Sequence, residues 1–380
     1  MERASRPLAI AHVDAETGFS GGEVQVFLLL DGLAARGHRS LLVVPPRSRA
    51  AAEARRRGHP VAEVAMRSDL DLPAVLSLRS LLRRGAFDLV HLHTGRATWL
   101  GGLAARLAGV PALTTRRMDR PVRPGWRTRL VYRRLVRRAA AISPAVLARL
   151  RAGGVPAERL RLIPSAVDDS RLAAPPLAPG ERAAVRAAFG ADPDAPVLLA
   201  LASLVPRKGL DVLLDALARL APMPPGLRLW IAGDGPERGA LEARARAGGL
   251  AAQVRFLGRR EDAERLLAAC DVLVLPSRRE GLGVAALEGM AAGRPIVASR
   301  VGGLAEAVGE EGEEEAGLLV PPGDPAALAA ALARLLAAAD LRARLAAAGP
   351  ARVRARHLAS QMTAAYEELY REIVAALPAR

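Results

Sequence analysis

Short apolar runs alternate with amphipathic stretches from one end of this chain to the other. In the first half LAIAHV, SLLVVP, VAEVAM, FDLVHLH, PALTTR, AAIS and RLIPSAV read as strands. In the second half VLLALASLV, LRLWIAGDG, VRFLG, DVLVLPS, PIVASRVGG and GLLVPPG do the same. Most are apolar at consecutive rather than alternate positions, the pattern of strands covered on both faces, and helical stretches connect them. The pattern therefore predicts an α/β chain of two Rossmann-like, doubly wound parallel-sheet domains. Between the halves, DDSRLAAPPLAPGERAAV concentrates Pro and Ala as a linker does and puts the junction near Arg171–Pro179. The acidic run GEEGEEEAG (309–317) reads as a solvated loop.

Composition narrows this picture. With 380 residues and 51% hydrophobic content the chain can fill two cores. The single cysteine, Cys270, excludes an internal disulfide framework. The N-terminal apolar run is too short for a signal peptide, and no stretch approaches the roughly 20 apolar residues of a spanning helix, so the expected location is cytoplasmic. The net charge of +16 is carried almost wholly by arginine, in keeping with a GC-rich coding bias. It is not evenly spread: 14 arginines lie between Thr115 and Arg161, against Asp119 and Glu158. Such a patch favours anionic lipid, nucleic acid or a phosphorylated substrate. Wound as a helix, RPGWRTRLVYRRLVRRAA (Arg123–Ala140) gathers Trp126, Leu130, Val131, Leu135 and Val136 on a core side and leaves Arg127, Arg134, Arg137 and Arg138 facing out. That outward face suits an anionic membrane surface. The chain has no nucleic-acid recognition motif and only 3% aromatics for base stacking, which argues against a nucleic-acid partner.

Doubly wound domains bind ligands at the carboxyl ends of their strands, so the loops there carry the candidate chemistry. After the first strand, DAETGFSGGEVQV offers Gly18, Gly21 and Gly22, whose backbone N–H groups can approach a phosphate or sugar at a helix start. In the second half, ASLVPRKG places Arg207 and Lys208, and IAGDGPE places Gly233, between a strand and a helix. The stretch SRREGLGVAALEGMAAGRPIV sets Glu280 in a loop before a helix that starts near Gly283, with Glu288 inside that helix. Eight positions apart, the two carboxylates form no dyad by spacing alone; they suit two ends of one extended ligand. By themselves these residues leave open a plain turn for the glycines, solvated charge for Arg207 and Lys208, and an arginine partner for Glu288. His91 and His93 share one strand face, but no third ligand for a metal is evident. Asp168 and Asp169 read as turn formers.

Taken in order, GFSGGE, FDLVHLHTG, SLVPRKG, IAGDGPE, VRFLG, PSRREGLGVAALEGMAAGRPIVASRVGGLAEAV and AGLLVPPGDPAALAAAL resemble the retaining nucleotide-sugar glycosyltransferases of family 4, which have the GT-B fold. The resemblance runs from about Leu8 to the final helix, and its most specific part is the E-x7-E segment. It implies two Rossmann-like domains facing a central cleft: an acceptor-side domain over 1–172, a nucleotide-sugar domain over 173–355, and a C-terminal helix over 356–380 returning to the first. It implies that Glu280 binds donor-sugar hydroxyls and that the backbone around Gly281, Leu282 and Gly283 receives sugar or phosphate oxygens. Glu288 would bind the ribose, and Lys208 with Arg207 would neutralise the leaving diphosphate. Gly233, Gly21 and Gly22 would complete the donor site, and His93 would border the cleft. The implied reaction moves a hexose to a glycan or glycolipid acceptor in cell-envelope, exopolysaccharide or lipopolysaccharide synthesis, with no metal and no cofactor beyond the nucleotide diphosphate sugar. The protein would sit in the cytoplasm or on the inner face of the membrane. An enzyme of the same fold acting on the nucleotide sugar itself, such as an epimerase, is the alternative. Two places depart from the family pattern. Ala202, Ser203 and Leu204 replace the usual G-R-L, so a phosphate-binding arginine becomes Ser203. Arg117, in TTRRMDRP, stands where many members carry histidine, and Arg116, Arg117 and Asp119 are expected to shape an acceptor or donor pocket.

Overall fold

The computed structural model describes residues 6–173, 175–309 and 315–377, and most of the acidic run at 309–317 falls outside them. The chain divides into two compact units, one of Met1–Ala166 with Ala359–Arg380 and one of Val167–Leu358.

In the first unit seven parallel strands form one sheet: β1 (Ala9–Val13), β2 (Arg39–Val44), β3 (Val61–Glu63), β4 (Leu89–Leu92), β5 (Ala112–Arg116), β6 (Arg138–Ala141) and β7 (Leu160–Leu162), in the order β3-β2-β1-β4-β5-β6-β7. In the second unit β8 (Val197–Leu201), β9 (Arg228–Ala232), β10 (Val254–Gly258), β11 (Val272–Leu275), β12 (Ile296–Ser299) and β13 (Gly317–Val320) run in the order β10-β9-β8-β11-β12-β13. Every apolar run singled out in the sequence contributes a strand. The continuous runs are the most central: β1, β4, β11 and β12 are buried at each position, as strands with helices on both faces must be. Strand order reverses at β1/β4 and again at β8/β11, and each reversal opens a crevice at the carboxyl ends of the strands.

The first core gathers Leu8, Ile10, Leu29, Leu33, Leu89 and Leu113 against Tyr366, Tyr370 and Ile373 of the C-terminal helix Ala359–Ala375. Ion pairs of Arg36 with Glu367 (2.8 Å) and Arg138 with Glu372 (2.6 Å) fasten the rim of that helix to the same unit. The second core packs Leu198, Leu229 and Val272 of its sheet against helix residues such as Leu213 and Leu332. No helix among the described residues is long and apolar enough to cross a membrane.

Two local expectations change. The Pro- and Ala-rich segment at Arg171–Pro179 is not the junction between units: the division falls at Ala166/Val167. The backbone N–H of Val167 donates to the His357 carbonyl at 2.9 Å. The helices Ser170–Ala173 and Pro179–Ala188 both belong to the second unit. Pro179 occupies a first helical turn, where its missing N–H is no loss, so its presence marks a helix start rather than a linker. The basic segment Arg123–Ala140 is likewise not one helix. It is a short helix, Trp126–Leu130, followed by a π-turn, Val131–Leu135, before β6. Val131, Leu135 and Val136 are buried, but Trp126, the first helical residue after Gly125, is 72% exposed and outside the core.

Candidate active site

In the second unit, the loops that follow β8 and β11 are locked together. Gly209 adopts a left-handed φ of 65°, and a Cβ there would stand 2.0 Å from the Pro276 carbonyl oxygen, so only glycine allows the approach. The Arg278 N–H donates to the Arg207 carbonyl (2.8 Å). Its guanidinium reaches the Pro206 carbonyl (3.0 Å) and grips Asp211 through two bonds of 2.7 and 2.6 Å. This clamp puts Lys208 Nζ in an ion pair with Glu280 Oε2, while Arg207 stands 3.8 Å from Glu280 Oε1. Both side chains of the Lys208–Glu280 pair are largely shielded from water.

Around the pair, Gly233 brings the loop after β9 against the loop after β8; a Cβ there would lie 1.8 Å from the Ala202 carbonyl. Ser203 is exposed beside it. Gly283, with φ of 88°, caps the helix Val284–Ala291, so the helix starts where the sequence places it. Gly281 is buried, and the Leu282 side chain is a core anchor, leaving its backbone as the part that can face a ligand. Glu288 lies on the second turn of that helix. Burial pushes its carboxyl above the usual range, with the Arg171 charge pulling it down. Arg171 is itself ion-paired with Glu264. Sequence reasoning misses Arg278 and Asp211: both are visible as charges in SRREG and KGLD, but nothing local pairs them across a separation of 67 residues.

In the first unit, Gly21 and Gly22 open the helix Gly21–Ala35, capped by Ser20 and Glu23 in a capping box. A Cβ on Gly22 would meet Arg117 Cδ at 3.7 Å. Arg117 donates to the His93 carbonyl (3.2 Å) and to His93 Nδ1 (3.3 Å). A guanidinium can only donate, so His93 Nδ1 accepts and its proton sits on Nε2, which donates to His12 Nδ1 at 3.1 Å. His12 then points its own Nε2–H at Ser40 Oγ, 3.5 Å away. His91 is held by Tyr370 Oη and Thr115 Oγ1, each at 2.7 Å. The third histidine not evident from sequence is thus His12, paired in register with His91 across β1 and β4. The ligand atoms of His12, His91 and His93 lie within 4.8 Å of one another, yet each ring nitrogen already has a hydrogen-bond partner. Burial holds all three imidazoles neutral, with His12 pushed down to about 3.

His93 is therefore interior, behind Arg117, rather than lining an open surface; it is 3% exposed. Asp119 pairs with Arg149 at 2.9 Å, and Arg116 donates to the Arg120 carbonyl at 2.6 Å. Asp14, at the end of β1, is pushed up to about 7, chiefly by burial and next by the Glu23 charge.

Residues 19–171 match the family model described as Glycosyltransferase Family 4, and residues 195–338 that described as Glycosyl transferases group 1. The D-inositol 3-phosphate glycosyltransferase of Saccharomonospora viridis is 35% identical over 330 residues, covering 80% of this chain and 74% of that one. The phosphatidyl-myo-inositol mannosyltransferase of Mycobacterium leprae is 36% identical over 309 residues, 78% and 77% of the two chains. Among solved structures, Anabaena HepE in complex with UDP and glucose shares the fold at a TM-score of 0.84 and 23% identity, over 95% of this chain and 99% of that one. Relatives that span most of both sequences, together with two parallel-sheet α/β units, make this chain a member of glycosyltransferase family 4, with the GT-B fold.

Proposed function

We propose that this glycosyltransferase is a retaining, metal-independent enzyme that moves a hexose from a nucleotide diphosphate sugar to a glycan or lipid acceptor of the cell envelope. The observation that carries the reading is the shielded Lys208–Glu280 pair with Arg207 beside it. Without donor, the two charges satisfy each other. A donor would separate them, its diphosphate taking Lys208 and Arg207 and its sugar hydroxyls taking Glu280. As the bond from sugar to phosphate breaks, negative charge grows on the diphosphate, and fixed cations meet it as a metal does elsewhere. Each such donor contributes about 3 to 4 kcal/mol to the transition state. The N–H groups around Gly281, Leu282 and Gly283, the backbone at Gly233 and the exposed Ser203 would line the donor, and Glu288 would take the ribose. Within the first unit, Gly21 and Gly22 set the start of a helix beside the Arg117 cation, an arrangement suited to a phosphate or sugar oxygen. Two relatives are named for inositols that bear a phosphate, which supports a phosphorylated or lipid-linked acceptor. The basic first unit supports peripheral work at the inner face of the membrane.

Calorimetric titration with UDP-, GDP- and ADP-sugars, with and without a chelator, tests the donor half. One nucleotide sugar should bind equally in both conditions; binding of none, or only with metal, overturns it. Incubation with donor alone should leave the sugar unchanged, whereas conversion to its epimer would favour an enzyme acting on the nucleotide sugar itself. The anomeric configuration of the transferred hexose, read by NMR, decides between retention and inversion.

A further inference from the structure

The large apolar side chains left exposed among the described residues all belong to the first unit. Leu70 is 91% exposed, Trp126 72% and Leu72 62%, and these three lie on one surface. The link is Asp69. Its carbonyl accepts from Trp99 Nε1 at 2.8 Å, and its carboxylate pairs with Arg127 at 2.5 Å. The Arg127 guanidinium lies 4.6 Å over the Trp99 ring, whose edge meets the Trp126 ring at a centroid distance of 6.3 Å. Leu70 follows Asp69 directly, and Leu72 opens the helix Leu72–Arg84, with Leu76 one turn on along the same face. Arg96 stands 3.9 Å from Asp69, and the exposed Arg67, Arg123 and Arg129 neighbour Asp69 or Trp126 along the chain. Of the acids nearby, Asp69 is paired with Arg127 and Asp71 caps the Leu72–Arg84 helix. The patch is built on the loops after β3 and β5, so it sits at the same carboxyl edge of the sheet as Gly21, Gly22 and Arg117.

We propose that this surface is a membrane anchor: Leu70, Leu72 and Trp126 enter the headgroup boundary of an anionic bilayer while the arginines meet lipid phosphates. Among the described residues, nothing covers the apolar groups of Leu70, Leu72 and Trp126. An indole flanked by leucines is suited to the interfacial layer, and the surrounding cations complement anionic lipid. The inference rests on the peripheral reading above and adds its driving force, insertion of apolar groups rather than charge alone. Attraction by charge alone is screened by salt; insertion is not.

The test is sedimentation of the full chain with vesicles of phosphatidylcholine, and with vesicles of phosphatidylcholine and phosphatidylglycerol in equal amounts, across a sodium chloride series. The chain should bind the anionic vesicles far more strongly, and part of that binding should survive high salt. Leu70→Ser with Leu72→Ser and Trp126→Ser should lower the salt-resistant partitioning by about tenfold or more, with an unchanged melt and unchanged donor binding. Leu70→Ser alone, at a nearly fully exposed position, gives the same direction should the triple variant fold poorly. Binding that salt reverses completely and that the serine variants leave untouched overturns insertion while leaving an electrostatic peripheral reading in place. Absence of binding to anionic vesicles overturns both, and equal binding to neutral vesicles removes the role given to the arginines. Self-association that the serine variants abolish, without vesicle binding, assigns the patch to a second copy of the chain.

Discussion

Glu280 and Lys208 are each other's partners before any substrate arrives, so replacing either residue exposes what the other does. Glu280→Ala removes a loop carboxylate that lies outside both cores and frees Lys208 for a phosphate. The melt should be nearly unchanged while transfer falls on the order of a hundredfold, the cost of losing one transition-state contact of about 3 kcal/mol. Turnover and thermal unfolding measured on the same sample check this, and a variant keeping more than about a tenth of its activity would remove Glu280 from the reaction. Lys208→Ala acts on the other end. It should weaken binding of the nucleoside diphosphate far more than that of the nucleoside. Titrating both ligands reads the difference, and equal losses would place the lysine away from the phosphates.

Strands, helices and the loops between them hold those residues in place, and here a single glycine decides the geometry. Gly209→Ala puts a Cβ against the Pro276 carbonyl at a position whose φ is left-handed. The strain, about 1 to 3 kcal/mol, should appear as a lower denaturant midpoint, and the displaced loop should cut donor affinity because Lys208 precedes it. Stability lost with affinity intact would mean that the Arg278–Asp211 clamp alone sets the loop. Much of this layer is legible in the apolar pattern by itself. The central strands are near-continuous apolar runs buried at every position, whereas the edge strands β3 and β7 carry a charged residue and are partly exposed. The helix at Gly283 is legible from a glycine followed by VAALEGMA, which leaves Glu280 in the loop and Glu288 on the second turn. The Arg278–Asp211 clamp is not legible, because pairing across 67 residues depends on how two loops meet. Nor is His12 as the partner of His93, since register between β1 and β4 is a tertiary fact. Trp126 is misplaced by an apolar stripe drawn on an ideal helix, which does not foresee a π-turn or a chain that enters at Gly125.

For the chain taken entire, the buried histidines make the first unit the acid-sensitive one. His12, His91 and His93 stay neutral in the fold, chiefly through burial, with the Arg117 charge acting in the same direction. In the unfolded chain each takes a proton near pH 6.5. The stability they contribute is therefore complete above that pH and is lost as pH falls through it, because the unfolded state binds the extra protons. Asp14 works the other way. Its carboxyl titrates at about 7 in the fold and near its ordinary 3.8 when unfolded, so folding gains a proton there and stability rises as pH drops between those values. Glu53 and Glu367, held down at about 2 by their arginine partners, lose their contribution only at more acidic pH. Three histidines against one aspartate leave a net uptake of protons on unfolding, so the first unit loses stability as pH falls from about 6 to 5. In the second unit the raised carboxyl of Glu288 shifts stability in the opposite direction. Calorimetric scans from pH 7.5 down to 5 should thus show one transition moving to lower temperature while another holds. His12→Asn, measured across the same range, should flatten the moving transition by about one proton's worth of slope. A first transition that does not move with pH would mean that the imidazoles protonate within the folded unit, and the neutral relay from Arg117 through His93 to His12 would fall with it.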